Sequence, residues 1–369
     1  MKGKRETRIF LKDYGIDLWE EKKIQDFRKA LLDWYDQNKR HLPWRETRDP
    51  YKIWVSEIML QQTQVATVIP YYLNFLKKFP TIKHLAEADT SSIEKAWEGL
   101  GYYSRVRNMR EAARMIQVDF GGTFPRDYKA VRALKGIGPY TAGAIMSIAY
   151  NEAYPAVDGN VMRILARLFE IDLDIAEPKN RKVFEVLCQA LISPDRPGDF
   201  NQALMDLGSD IEAARGYHVE DSPVKEFSGA YINDTMDRYP IKKRRVKVQK
   251  QTFKALIIEE TNGRFLFKKR PKDGLLANFY MMPLLDEKED VKAYLEALGF
   301  SNYLLGKKAL GQVKHIFSHR EWLIDCWYVQ VDRLLELEPC EEWLWLSPNE
   351  FNSQAFPKPQ HKIWELFTK

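Results

Sequence analysis

Cysteine is scarce in this chain of 369 residues: Cys188, Cys326 and Cys340 lie far apart, with no C-x-x-C pair or other metal-ligand spacing. That argues against a disulfide framework and against a thiolate metal cluster. Long apolar runs are missing too. The apolar stretches are too short and too often interrupted to span a bilayer, although 45% of residues are apolar, a globular proportion. The N-terminal "MKGKRETRIFLKDYG" lacks the apolar core and small-residue cleavage site of a secretory signal, so a cytoplasmic, non-membrane protein is expected. There is no internal repeat or low-complexity tract, and no strong excess of one charge. A net charge of +5 is only mildly basic and by itself favours nucleic acid weakly.

What is present divides the chain by texture. Single cores rarely grow past roughly 250 residues, so two or three domains are expected. Up to about residue 240 the segments "KIQDFRKALLDWYDQN", "PYKIWVSEIMLQQTQVATVIPYYLNFLKKF", "SIEKAWEGLGYYSRVRNMREAARMIQ" and "NVMRILARLFEI" place apolar residues three and four apart, which predicts helices. Then comes "IKKRRVKVQK", residues 241–250, with six basic residues and no acid. By composition this reads as a solvated linker between domains. Beyond it, "TFKALIIEE" and "RFLFKKR" flank an Asn-Gly pair and predict a hairpin. "LGQVKHIFSH" and "EWLIDCWYVQV" read as a second strand pair, with helices at "DVKAYLEALGF" and "QHKIWELF".

Chemistry concentrates in the helical part. In "LKGIGPYTAGAI" the glycines Gly136 and Gly138 permit positive φ and close backbone approach, so a hairpin there can open a helix with exposed amides that bind an anion. Asp158 follows 20 positions after Gly138, just ahead of a helix. Asp49 and Pro50 form a plausible N-cap and first helical residue. Glu57 then shares its helix face with Ile53, Trp54, Leu60 and Gln61, a setting that raises a carboxyl pKa and suits a general acid. A helix N-terminus at Asp158 works the other way and favours the ionised form.

The hairpin and its distal aspartate together resemble the helix-hairpin-helix superfamily of DNA glycosylases. That resemblance implies a grip on DNA phosphates by the hairpin and a monovalent or calcium ion bound there. Lys135 stands where proline is common in the superfamily. Members that cleave the sugar-phosphate chain carry a lysine at the position of Tyr140, and tyrosine cannot form the imine this chemistry requires.

"LPWR", "WVSEIMLQQTQVATVIPYY", "WEGLGYYSRVRN", "AVDGNVMRILAR" and "FNQALMDLG", in this order, resemble the adenine-specific MutY family over nearly the whole chain. The resemblance implies a monofunctional glycosylase that removes adenine opposite 8-oxoguanine in duplex DNA, acting as a monomer. Glu57 would protonate adenine, Asp158 stabilise the sugar cation, Tyr140 line the site and Asn160 support it by hydrogen bonds. Gln62 and Tyr102 match the family's wedge positions, and Lys243, Arg244 and Arg245 of the linker would track phosphate. Two other readings stay open: a bifunctional glycosylase/lyase similar to endonuclease III, which Tyr140 argues against, and a non-catalytic protein that binds damaged DNA.

The expected architecture is α + (α+β). A two-lobed all-α helix-hairpin-helix domain spans 1–240, with one lobe at about 45–150 containing the hairpin 134–145 and the other built from 20–44 and 151–240. The linker 241–250 leads to a Nudix-like α/β/α domain, 251–369, whose text "GLLANFYMMPLL" carries that resemblance. Its helix lacks the Arg and paired acids of a working Nudix site, with only Glu296 present, so pyrophosphatase chemistry is not expected. The family reads 8-oxoguanine through a Phe-Ser-His turn, which here is Phe317, Ser318 and His319. Most relatives also carry four iron-sulfur cysteines spaced C-x6-C-x2-C-x5-C. The corresponding residues are Glu212, Val219, Ser222 and Ser228, so a chain without the cluster is expected.

Overall fold

Asp49 accepts a hydrogen bond from the Tyr51 amide at 2.9 Å and Pro50 follows it, so a helix begins where the sequence places its cap. The computed structural model describes residues 2–243, 248–317, 320–332 and 342–369, which leaves Arg244, Arg245, Ser318 and His319 outside the described residues. The chain divides into two units, Met1–Ala88 with Ser104–Arg244, and Asp89–Tyr103 with Arg245–Lys369.

The helices, in chain order, are α1 Lys2–Lys12, α2 Glu21–Asn38, α3 Pro50–Leu60, α4 Val65–Lys78, α5 Ile82–Glu87, α6 Thr90–Ala96, α7 Ser104–Asp119, α8 Tyr128–Ala133, α9 Pro139–Tyr150, α10 Gly159–Leu168, α11 Arg181–Leu191, α12 Pro197–Asp206 and α13 Gly229–Ile232. All but α6 belong to the first unit. Two segments read from periodicity as helical are each broken. Residues 50–79 split into α3 and α4 around Gln62, which has φ +59°, and residues 92–117 split into α6 and α7 around Tyr102, with φ +47°. A left-handed residue cannot continue a right-handed helix, and apolar spacing carries no trace of it. The freed carbonyls at the end of α3 are collected by Arg105, whose Nη1 donates to Ile58 O at 2.7 Å and Gln61 O at 2.6 Å.

One lobe of the first unit packs around Phe27, Leu31, Phe184, Phe200 and Leu204, and α1 adds Leu11 next to Ile16. Within the other, Trp54, Val68, Phe75, Ile116 and Ile145 are fully buried.

The second unit is built on β1 Gln249–Glu260, β2 Phe265–Lys269, β3 Tyr280–Met281, β4 Leu284–Asp286, β5 Tyr303–Leu305, β6 Gly311–Ile316, β7 Arg320–Val331 and β8 Trp343–Leu346, with α14 Val291–Ala297 and α15 Lys358–Phe367. The path runs β3-β2-β1-β7-β5, with β4 on β1, β6 on β7 and β8 on β2. β1 and β2 form the expected Asn-Gly hairpin, and β6 pairs antiparallel with β7. At the centre β1 runs parallel to β7 from Gln249 opposite Arg320 onward. Strand alternation sends Ala255 and Ile257 to one face, where Ile363 of α15 packs, and Leu256 and Ile258 to the other, where Leu295 of α14 packs. That is an α/β/α sandwich. Among the described residues no helix is long and apolar enough to cross a membrane.

Candidate active site

The hairpin lies between α8 and α9. Gly136 has φ +80°, and a Cβ there would come within 2.8 Å of the Asn108 Cβ, so glycine is required on two counts. Gly138 differs from the expectation. Its φ is −83° in the extended N-cap position of α9, and a Cβ would meet nothing within 4 Å, so its torsion does not demand glycine. The Arg132 guanidinium donates to the Ile137 carbonyl, which places a cationic group of the chain itself at the hairpin. Gly136→Ala should therefore cost roughly 1–2 kcal/mol from the left-handed backbone alone, while Gly138→Ala should leave folding unimpaired. Urea midpoints of the two variants check the contrast.

Glu57 sits on α3 with only 5% of its surface exposed, and its Oε2 has no hydrogen-bond partner. Burial raises its pKa to about 7; the Tyr140 hydroxyl beside it and Arg45 oppose the shift, and the charge of Asp158 adds to it. Tyr140, the second residue of the helix that the hairpin opens, is half-buried and its hydroxyl donates to Met205 Sδ at 3.6 Å. Burial, and then the charges of Glu57 and Asp158, push its phenol well above the ordinary value. It therefore stays protonated, with a proton to donate.

Asp158 is the N-cap of α10 and accepts from the Val161 amide at 2.8 Å. The expectation that the helix end would hold its pKa down is not met: burial raises it, against the opposing Val161 and Asn160 amides, Arg163 and Arg181. Both carboxyls are thus pushed upward. Their hydrogen bonding differs: helix amides serve Asp158, whereas Glu57 has the Tyr140 hydroxyl beside it and an Oε2 without a partner. Asn160 Oδ1 accepts from Arg163 Nη2 at 2.7 Å, and Gly208 lies so close that a Cβ there would be 2.8 Å from the Asn160 Cβ.

An ion cluster that sequence reasoning did not single out borders these groups. Asp206, at the end of α12 and 1% exposed, accepts from Arg45 Nη1 at 2.6 Å and Nη2 at 2.9 Å and from Arg40 Nε at 2.9 Å. Arg45 in turn acts on Glu57. A turn of π-helix, Leu207–Ile211, continues α12 directly after Asp206, a form that recurs at functional sites. The signal lay in "LPWR" and "FNQALMDLG", each holding one opposite charge amid apolar text. A cleft of about 640 Å³ reaches Pro139 and Tyr140 from the side of α1, α2 and α11, with Arg28, Tyr154 and Lys182 among its walls.

The structure thus brings Glu57, Tyr140, Asp158 and Asn160 together in the first unit. Gln62 is exposed at the end of α3. The Lys243 amide donates to Asp174 Oδ2 at 3.3 Å. Tyr102 and Phe317 belong to the second unit. Tyr102 is 48% exposed. Phe317 packs edge-on against His315 and Trp322, and its amide donates to Arg320 O at 2.7 Å, closing the turn between β6 and β7. Because β1 starts opposite Arg320, the linker enters the sheet at the same end as that turn.

Residues 55–190 match the HhH-GPD superfamily of base excision DNA repair proteins, and residues 254–366 match the NUDIX domain. The chain is 38% identical to an adenine DNA glycosylase of Arabidopsis thaliana over 82% of its own length and 57% of that protein's. It is 33% identical to an adenine DNA glycosylase of Buchnera aphidicola over 91% of its own length and 95% of that protein's. The chain belongs to the adenine DNA glycosylase family. Members are base excision repair enzymes, hydrolases of N-glycosidic bonds. A solved thermostable thymine-DNA glycosylase, 30% identical, superposes with a TM-score of 0.52 over 57% of this chain and 98% of its own.

Against that family, the four positions at which cluster cysteines are expected form something else. Glu212, Ser222 and Ser228 are buried. Ser222 Oγ donates to Glu212 Oε1 at 2.9 Å, Arg167 Nη1 lies 3.6 Å from Glu212 Oε2, and Ser228 Oγ donates to Arg167 O at 3.2 Å. The Glu212 carbonyl accepts from Arg163 Nε at 2.8 Å and Arg167 Nη1 at 3.1 Å. Burial raises the Glu212 pKa, while Ser222 and Arg167 oppose it. These residues, with Val219, do not fit an iron-sulfur cluster: a carboxyl, two hydroxyls and an isopropyl group cannot replace four thiolates. Among the described residues no group of three or more His, Cys, Asp or Glu could hold a metal ion.

Proposed function

We propose that this adenine DNA glycosylase family member removes adenine mispaired with 8-oxoguanine in duplex DNA, works as a monomer without an iron-sulfur cluster, and stops after base removal. Glu57 protonates the base, since adenine is a poor leaving group until it carries a proton. As the bond to the sugar breaks, positive charge develops on the ring, and the Asp158 carboxylate stabilises that oxocarbenium ion. The observation that carries the reading is the contrast between Glu57, buried with an unpartnered oxygen and a pKa of about 7, and Asp158, served by the Val161 amide. Tyr140, in the place of the lyase lysine, supports the monofunctional outcome. It offers a phenol where imine chemistry needs an amine.

Flipping the base costs a few kcal/mol of unstacking, which the exposed, left-handed Gln62 and Tyr102 would offset by filling the gap. The Phe317 turn reads the opposite base, with Ser318 supplying donor and acceptor to a lesion whose N7 bears a hydrogen. Gly136, Gly138, Lys243, Arg244 and Arg245 hold phosphates, and a cation at the hairpin would add to that grip.

A double variant, Ser318→Ala with His319→Ala, tests the lesion reading. Single-turnover rates on duplexes with adenine opposite 8-oxoguanine or guanine should lose most of their ratio in the variant. An unchanged ratio would remove the turn from recognition.

A further inference from the structure

We infer that Glu98 is a positioning residue that fastens the Tyr102 loop to the sheet unit, so that stack insertion and reading of the opposite base are actions of one body. The inference rests on the proposed role of Tyr102 in the base stack.

The loop lies between α6 and α7, yet it belongs to the unit of the sheet. Glu98 accounts for much of that. Its Oε1 accepts from the Phe356 amide at 2.9 Å and lies 3.0 Å from His361 Nε2, while Oε2 accepts from Lys95 Nζ at 2.6 Å. Lys95 Nζ also donates to Gln354 O at 3.0 Å, so two adjacent links run to the segment before α15 and to α15 itself. The carboxylate is only 18% exposed. Burial acts to raise its pKa, but His361, Lys95 and the Phe356 amide together hold it down to about 2, so the latch stays charged across the physiological range. A third tie stands at the other end of the loop, where the buried Tyr103 ring meets Phe279 edge-on at 4.4 Å.

Between these anchors the backbone is tightly wound. Gly99, Gly101 and Tyr102 have φ of +100°, +72° and +47°. Trp97 Nε1 donates to Gly101 O at 3.0 Å, and the Gly99 amide to the Tyr103 hydroxyl at 3.4 Å. Left-handed glycines are unstrained, but a left-handed tyrosine costs on the order of 1–2 kcal/mol and persists only where its surroundings over-determine it. Here the buried neighbours Trp97 and Tyr103 and the Glu98 latch supply that determination, while Tyr102 stays 48% exposed. A strained exposed aromatic held by buried neighbours is arranged to meet something outside the chain. DNA bases, which stack on any aromatic face, fit that description.

The test is a double-mutant cycle on the full chain. Glu98→Ala, Tyr102→Ala and the double variant are compared for the dissociation constant of a duplex with a non-cleavable adenine analogue opposite 8-oxoguanine. A 2-aminopurine beside the lesion reports unstacking. Each single variant should weaken binding roughly tenfold and quench the 2-aminopurine signal alike, and the double should bind no worse than Tyr102→Ala alone. Multiplying losses, or a Glu98→Ala variant with a native fluorescence signal, would overturn the positioning role. Tyr102→Ala binding as the parent does would instead sink the stacking role on which the inference rests. Should Glu98→Ala fold poorly, Glu98→Gln serves: it keeps an acceptor for the Phe356 amide and removes the charge, so it should fall between parent and alanine on both readouts, and a parental result on both overturns the proposal.

Discussion

Glu57→Gln should bind the mispaired duplex as the parent does and release adenine roughly two to four decades more slowly, the usual worth of a positioned general acid. The amide preserves shape and polarity in a site where Glu57 is 5% exposed, but it has no proton to give. The pH dependence of the parent carries the same information with a definite sign. Glu57 acts in its protonated form, which burial stabilises up to about pH 7. The single-turnover rate should therefore hold below that value and fall as pH rises through it. Asp158 acts ionised, and burial raises its pKa, so an acid limb is expected above the ordinary carboxylate range. The two groups interact, and the limbs belong to the pair. In Glu57→Gln the upper limb should vanish. A rate that rises through pH 7 in the parent would mean that Glu57 works as a base.

Glu212→Ala should lower stability by about 3–5 kcal/mol, because it leaves Arg167 buried with its counter-charge removed. Arg167 is 2% exposed and would keep contacts to the Glu212 backbone carbonyl and the face of Tyr217, but not a carboxylate. Ser222 Oγ loses its acceptor at the same time. Glu212→Gln retains the acceptor and should cost less. The urea midpoint of the parent and both variants decides it; a midpoint for Glu212→Ala within 0.5 kcal/mol of the parent by the system's own slope, roughly the scale of an ordinary surface change, would show that packing alone holds the segment. Because Arg163 and Arg167 tie Glu212 to α10, this segment also backs the helix that Asp158 caps.

What the sequence made legible is mostly local. The Asp49 cap, the glycine hairpin, the Asp158 cap and the Asn-Gly turn are each set by a few neighbouring residues, and apolar periodicity located α2, α10 and the central strands. What it hid is of two kinds. Left-handed backbone at Gln62 and Tyr102 carries no signature in the side chain, so apolar periodicity runs the helices on through both. Contacts across long sequence separations were equally silent: Arg45 to Asp206 spans 161 positions, and Glu98 to His361 spans 263. The upward shift of Asp158 is hidden for a related reason, since the helix end is local while the burial that outweighs it comes from the whole fold.

The account turns on base removal without strand cleavage, which single-turnover reactions on a duplex with adenine opposite 8-oxoguanine address when each sample is divided and half is treated with alkali. Breaks that appear only in the alkali-treated half are the predicted result. Breaks in the untreated half would contradict the account and restore a lyase, and no release of adenine from a tightly bound duplex would leave a protein that binds damage without repairing it.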